Sequence, residues 1–393
     1  MSAPLGLEDA QARLLALAPS LSVEPVPAEA ALGRVLADNL HAARTQPPAD
    51  LSAMDGYALA PGEGPWRLVG ESRAGTPFEA ALAEGECARI STGAFVPQGA
   101  DRILLQEDAT WADETISTAE LPPPGRHIRP EGFDFRTGDL LLTRGTRITA
   151  GRMALALAAG HAMLPVTRRL KVAVMDSGDE LSADPAHCLP HQIPASNAAM
   201  IAALLAPLGC EITRIGPVPD DRAALASALA QAEGTDLLIT SGGASVGDHD
   251  LIKPALAEWG VGIAFWKIAI KPGKPLLIAT RGAQVILGLP GNPVSSFVTA
   301  FLFALPLVRA AMGDPDPLPR AVTMRAGEDL PAIGPRREFL RAVSDGGAVR
   351  LAGSQDSSAL SALAAADCLI DRPAHSPTLP AGEPVRVFPL QNG

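Results

Sequence analysis

The sequence predicts a multidomain α/β plus β protein, and three observations carry that expectation. Between Leu170 and about Met312, short β-branched runs alternate with amphipathic helical stretches. That is the pattern of βαβ units around a mainly parallel, doubly wound sheet. Residues 50–145 break into short apolar stretches separated by Gly, Pro and Asp, as a β-rich region with many turns does. After the linker Asp314-Pro-Asp-Pro-Leu-Pro, residues 320–393 return to short alternating stretches, which predict a small β-domain. A chain of 393 residues is too long for one ordinary core.

In chain order, Leu7, Leu14, Leu15 and Leu17 place a helix within residues 5–20, ended by Pro19. A second short helix is predicted from near Pro27 to about Asn39. Strands are predicted at Trp66–Val69, Ala88–Ser91 and Arg102–Gln106, with a breaker at Pro122–Gly125. Residues 149–162 read as one helix with Thr149 as N-cap. Lys171–Met175 is a strand, and Ser196–Leu208 a helix with Ser196 and Asn197 as cap candidates and Gly209 as its stop. Glu211–Ile215 (strand), Arg222–Glu233 (helix) and Asp236–Thr240 (buried strand) follow. Ala264–Ile270 and Leu276–Thr280 form an antiparallel hairpin around Pro272–Gly273. Val285–Leu289 is a strand and Pro293–Ala311 a long apolar helix. The last region predicts strands at Val322–Arg325, Glu338–Val343, Ala348–Leu351 and Val385–Phe388.

Composition narrows the partners. Apolar residues make up 47% and charged residues 19%, enough for a filled interior. The net charge of −11 argues against nucleic acid and anionic membranes as general partners. An anion could still be held where a few cations and backbone amides converge, so single lysines become informative. The longest apolar runs, Met153–Pro165 and Phe297–Pro306, fall short of a membrane span and read as core helices. Cys87, Cys188, Cys210 and Cys368 show no C-x-x-C spacing, and the N-terminus shows no signal-peptide pattern. Both fit a reducing cytoplasm.

Several loops could carry chemistry. The strand Asp236–Thr240 runs into Ser241-Gly242-Gly243-Ala-Ser245-Val-Gly247-Asp248-His-Asp250. Ligands of doubly wound sheets bind beyond the carboxyl ends of strands, and glycines let the backbone approach a phosphate. A tight strand-to-helix turn is the plainer reading of the same glycines. Asp248 and Asp250 suit a divalent cation beside phosphates, or a helix cap. Lys267, Lys271 and Lys274 fall within eight residues of the hairpin and suit an oxyanion, though edge lysines also discourage strand pairing. Pro290-Gly291-Asn292-Pro293-Val-Ser295 opens a helix, with Asn292 as N-cap and Pro293 in the first turn. Such an N-terminus facing a cleft binds anions. Asp176, Asp179 and Glu180 crowd one loop after a strand and suit a cation or a sugar hydroxyl, or form a polar loop only. His187-Cys-Leu-Pro-His191 reads as a surface loop rather than a metal site.

At this point the motifs resemble one family. Pro47-Pro-Ala-Asp-Leu-Ser-Ala-Met-Asp-Gly-Tyr-Ala58 and Arg89-Ile-Ser-Thr-Gly-Ala-Phe-Val-Pro-Gln-Gly-Ala-Asp101 are followed in order by Ser241–Gly247, Trp266-Lys267, Lys271–Pro275 and Leu289–Ser295. Arg337-Glu-Phe-Leu-Arg341 and Ser357-Ser-Ala-Leu with Ala366-Asp367 extend the match to about residue 390. The set resembles the MoeA-type molybdopterin molybdenumtransferases, including the corresponding domain of gephyrin.

The resemblance implies a discontinuous helical domain (1–45 and 146–169), a β-rich inserted domain (46–145), a molybdopterin-binding doubly wound α/β domain (170–313) and a C-terminal small β-barrel (320–393). It implies a homodimer in which the second domain of one subunit closes the site on the third domain of the other, with the upstream adenylyltransferase as a candidate partner. The implied reaction takes adenylylated molybdopterin and molybdate, releases AMP and uses Mg2+ or Zn2+. The positions carried over are Asp55, Thr92 and Asp134 from the second domain, and Glu180, Asp220, Asp250, Lys267 and Lys271 from the third, with Pro290 and Pro293 shaping the loop. Glu180 and Asp250 are the metal candidates. Asp220 also suits a helix cap, and Asp55 an Asx-turn. The chain departs from the family pattern at Ser177, at Glu131-Gly-Phe-Asp134 and at Ala195-Ser196-Asn197, where an acid is usual. The alternatives are the adenylyltransferase of the same pathway, a gephyrin-like scaffold and an enzyme for tungstate.

Overall fold

The computed structural model describes residues 4–242 and 251–390, and only the backbone of 263–266. Its centre is a six-stranded sheet in the order Glu211–Val218, Lys171–Ser177, Leu237–Ser241, Gln284–Leu289, Pro275–Arg281, Gly262–Lys267. The first four strands are parallel, and the last two form the expected antiparallel hairpin. The three inner parallel strands are buried nearly throughout, as a sheet covered by helices on both faces requires, while the edge strand Glu211–Val218 is largely exposed. Asn197–Leu205 and Arg222–Gln231 supply helices at the predicted places. The first continues through a 3-10 turn to Leu208 and stops at Gly209, whose φ of +77° suits glycine.

Residues 56–117 form a second, curled six-stranded sheet that contains the predicted strands, here Trp66–Ser72, Glu86–Ile90 and Arg102–Leu105. At the C-terminus, Arg337–Asp345, Ala348–Leu351, Val322–Ala326, Pro384–Pro389 and Cys368–Arg372 close on themselves, because Arg337–Asp345 pairs with both Ala348–Leu351 and Cys368–Arg372. The result is a five-stranded barrel. The strand Cys368–Arg372 and the helix Leu360–Ala365 were not expected from the sequence.

Two expectations are corrected. The helix from Pro27 to Asn39 is only the 3-10 turn Ala28–Ala31. Gly33 then takes φ +77°, and Val35 and Leu36 extend to bridge Arg147 and Val166, so strand pairing outweighs the local helical spacing. The helix expected over 149–162 runs from Ala150 to Ala158. Gly160 follows at φ +97°, and Met163–Thr167 turns into a strand paired with Val23–Pro27. Thr149 holds the N-cap position but makes no side-chain cap bond.

The long helix is continuous from Pro293 to Ala311, with a π-helical turn at Ala300–Ala304. By length and hydropathy it could cross a membrane, yet 83% of its most apolar window is buried inside the protein. Pro306 has no N–H for the carbonyl of Leu302 four residues back. That buried carbonyl instead accepts from Gln11 Nε2 at 2.8 Å, an amide brought by the first helix, Leu7–Leu15. Leu7, Ala10 and Leu14 join the long helix, one face of the α/β sheet, and Phe339, Leu369 and Phe388 of the barrel in a single core. Arg337 adds a bidentate pair to Asp371 (2.6 Å to each oxygen) and a bond to Glu8.

Gln11→Leu strands the Leu302 carbonyl and is expected to cost about 1–3 kcal/mol, read as a lower urea midpoint. Pro306→Ala in the same background should recover part of that loss, because it restores an N–H inside the helix.

Candidate active site

The carboxyl ends of the parallel strands open into a cleft of about 1330 Å3 between the α/β sheet and the barrel. Ser241 and Gly242 reach it from the strand Leu237–Ser241. Pro290, Gly291, Asn292, Pro293 and Ser295 reach it from the turn after Gln284–Leu289, and Glu180 from the loop after Lys171–Ser177. Lys271 and Lys274 arrive on the hairpin connection. The barrel contributes Arg336 and the segment Gln355–Ser358, which sequence reasoning did not single out as site residues.

Each loop has a local cause. Gly242 has φ +96°, and its N–H donates to Leu289 O at 3.2 Å, which draws two strand ends together. Asn197 Nδ2 donates to Ser241 Oγ (2.8 Å) and Gly291 O (2.7 Å) and clamps both loops to the first helix of the domain. Ser196 holds that helix's N-cap position without a side-chain bond. The cap is supplied by Asp176, whose carboxylate accepts Ala198 N–H at 2.9 and 3.1 Å. Burial pushes Asp176 above its ordinary pKa despite these bonds. The acid usual before Ser196 is therefore not needed for capping.

Gly178 has φ +148°, and a Cβ there would lie 2.4 Å from the Glu180 carboxylate, which would have to swing away. Gly273 has φ +106°, and its Cβ would meet Thr299 Oγ1 at 2.4 Å, so the Lys271–Lys274 turn packs on the long helix only with glycine. Asn292 is the N-cap residue, as expected, but its amide donates to Ser357 Oγ at 3.0 Å, and Ser357 O accepts Val294 N–H at 3.1 Å. The barrel thus sits against the helix N-terminus.

Asp220 is not a helix cap. Asp221 caps Arg222–Gln231, accepting Ala224 N–H at 2.9 Å. The Asp220 N–H donates to Asp179 Oδ1 at 3.0 Å, and its carboxyl is raised above the ordinary value by burial and then by the charges of Asp179 and Glu180. Lys267 ends the strand Gly262–Lys267 and does not line the cleft, while its carbonyl accepts Leu5 N–H at 2.8 Å. Gly243, Ser245, Gly247 and Asp250 lie outside the described residues. Among the described residues, no three His, Cys, Asp or Glu side chains group as a metal site. His187 is exposed and bonds Asp184, as a surface loop would.

Asp55 and Thr92 lie elsewhere in the protomer. Asp55 Oδ1 accepts Thr92 N–H at 2.6 Å, and that bond holds the Asp55 carboxyl below its ordinary pKa. Asp55 lines a separate pocket of about 340 Å3 with Glu71, Arg73, Arg89 and Gln106, and the two pockets share no residue. Asp134 is exposed, in a loop tied to Gln46 O through its own N–H.

Comparison with known proteins agrees with this layout. Residues 5–160 match the model of the MoeA N-terminal region (domain I and II), 173–310 that of a probable molybdopterin binding domain, and 323–390 that of the MoeA C-terminal region (domain IV). A protein of Haemophilus influenzae named molybdopterin molybdenumtransferase is 34% identical, covering 99% of each chain. One of that name from Synechococcus elongatus is 36% identical over 94% of this chain and 95% of its own. The crystal structure of a molybdopterin biosynthesis moea protein from Pyrococcus horikosii superposes with a TM-score of 0.84 at 29% identity, covering 99% of both chains. Fold and cleft together define a multidomain α/β protein built around a molybdopterin-binding-type domain. The chain belongs to the MoeA family.

Asp220 ionises at a cost, because its folded pKa lies above its unfolded one. The cost is absent below the unfolded pKa and complete above the folded pKa. Asp220→Asn is expected to raise Tm at pH 7, with the gain held to at most about 0.5 kcal/mol by solvent screening. The gain should disappear in a melt at pH 3.

Proposed function

We propose that the protein is a molybdopterin molybdenumtransferase, which inserts molybdate into adenylylated molybdopterin and releases AMP. The observation that carries this reading is the cleft, where strand ends, a helix N-terminus and two lysines of the molybdopterin-binding region meet on a MoeA-family chain. Its volume exceeds that of an ordinary small-ligand pocket and suits an extended, anionic substrate.

In this reading the backbone of Gly242 and Gly291 and the hydroxyls of Ser241 and Ser295 receive the pterin-phosphate part, helped by the helix N-terminus at Asn292-Pro293. Gly243, Ser245 and Gly247, next in the sequence, are assigned to the same group. Lys271 and Lys274 hold oxyanion charge, and Lys267 supports the hairpin that presents them. Glu180 with Asp250 would hold Mg2+ (or Zn2+), and Asp179 and Asp220 add negative charge that favours a hard cation. One or two carboxylates with phosphates and water suffice for Mg2+, which accords with the lack of a three-ligand cluster among the described residues. The bound cation would neutralise the phosphoanhydride while it is cleaved.

Asp55 and Thr92 belong to the same chemistry only if another subunit brings them to the cleft. We infer a homodimer in which they do so. Val23, Leu32, Leu157 and Met163, each at least 43% exposed, are apolar side chains available for such an interface. We assign the domains as 1–45 with 146–169, 46–145, 170–313 and 320–393. A cytoplasmic location suits four unpaired cysteines.

The first test is AMP release from adenylylated molybdopterin. Release that requires molybdate and a divalent cation supports the reading, and ATP consumption would point instead to adenylyl transfer. Bound nucleotide without release would indicate a scaffold, and release with tungstate alone would change the metal. Lys271→Ala should lower the rate about a hundredfold or more with the dimer intact. Mixed dimers of Asp55→Asn and Lys271→Ala chains should regain activity, since one of their two sites is complete.

A further inference from the structure

Lys271 does not stand alone in the cleft. The short strand Ile270–Lys271 pairs in parallel with the barrel strand Arg337–Asp345, with Lys271 opposite Glu338. Lys271 Nζ donates to Glu338 Oε1 at 3.1 Å and lies 3.2 Å from Oε2. The lysine side chain is 50% exposed and the glutamate only 14%. Lys271 lines the cleft, and the carboxylate beside it is largely shielded. An ammonium has three donors, so at least one remains for a ligand while Glu338 is still bound.

We propose that Glu338 is a positioning residue and the resident counter-anion of Lys271. It aims the ammonium into the cleft and cancels part of its charge, so that an incoming dianion competes with Glu338 for Lys271. The inference rests on the proposed molybdate-binding function. Its physical basis is simple. A carboxylate bonded to the same ammonium lies within a few ångströms of any anion that ammonium binds, and like charges at that range repel. Arg337, the preceding residue, is committed to Asp371 and Glu8, so it does not neutralise Glu338. The barrel therefore sets the strength of an anion site whose lysine belongs to the α/β domain.

The test is calorimetric titration of molybdate into the full-length protein at low ionic strength. Glu338→Gln keeps the side-chain shape and removes the charge. It is expected to bind molybdate about fivefold more tightly than the native chain, a gain that shrinks with added salt. A residue that only supported the fold would give equal or weaker binding. In the Lys271→Ala background, the Glu338→Gln gain should disappear. Unchanged or weaker binding by a well-folded Glu338→Gln protein, or a gain that persists without Lys271, overturns the assignment and leaves the molybdate reading standing. If the native chain binds no molybdate and Glu338→Gln binds none either, both fall. Should Glu338→Gln melt early, Glu338→Ser, which leaves room for water, is read the same way.

Discussion

The structure depends on a proline in the wrong place for a helix and on the amide that compensates for it. Pro306 frees the Leu302 carbonyl in the middle of a buried helix, where no water can reach it. A buried carbonyl left unpaired is expensive. Gln11 supplies the missing donor, and in doing so it fixes the first helix of the chain against the last helix of the α/β region. The apolar residues around that bond then bring in the barrel through Phe301 and Phe388, whose ring centroids lie 6.3 Å apart in an edge-on arrangement. Three regions far apart in sequence share one close-packed interior, and packed interiors do not deform gradually.

The cleft follows from that packing. The long helix begins at Pro293, so its N-terminus is carried to the carboxyl edge of the sheet, and the barrel packed on the same helix forms the opposite wall. Asn292, Val294 and Ser357 tie the two walls together at the rim. Acidic residues outnumber basic ones, 43 to 32, yet the cleft gathers Lys271, Lys274 and Arg336 beside the start of the long helix. The electrostatics are local, since the net charge of the whole chain repels anions.

The β-rich region answers to a different constraint. Its curled sheet has its own two small cores and presents Asp55 and Thr92 at its surface, joined by one short hydrogen bond. Among the described residues, the pocket of Asp55 shares none with the cleft that holds Lys271 and Lys274. The two proposed parts of the site are thus separate in the single chain.

The sequence alone determined the local elements whose signal is periodic or covalent. These are the parallel strands, the antiparallel hairpin, the stop at Gly209, the helix opening at Asn292-Pro293, and the order of motifs that marks the family. It misled where tertiary pairing overrode local preference. Val35 and Leu36 extend to bridge distant strands despite helical spacing, and Asp221 takes the cap that Asp220 also suited. The rest was not legible because it depends on partners far along the chain. Glu338 meets Lys271 from 67 residues further along the chain, and Asp176 caps a helix beginning 21 residues later. Gln11 completes a helix bond 291 residues away. Spacing within a segment specifies an element, because backbone hydrogen bonding is local. Which side chain ends beside which across the cleft was decided only when the shared core closed.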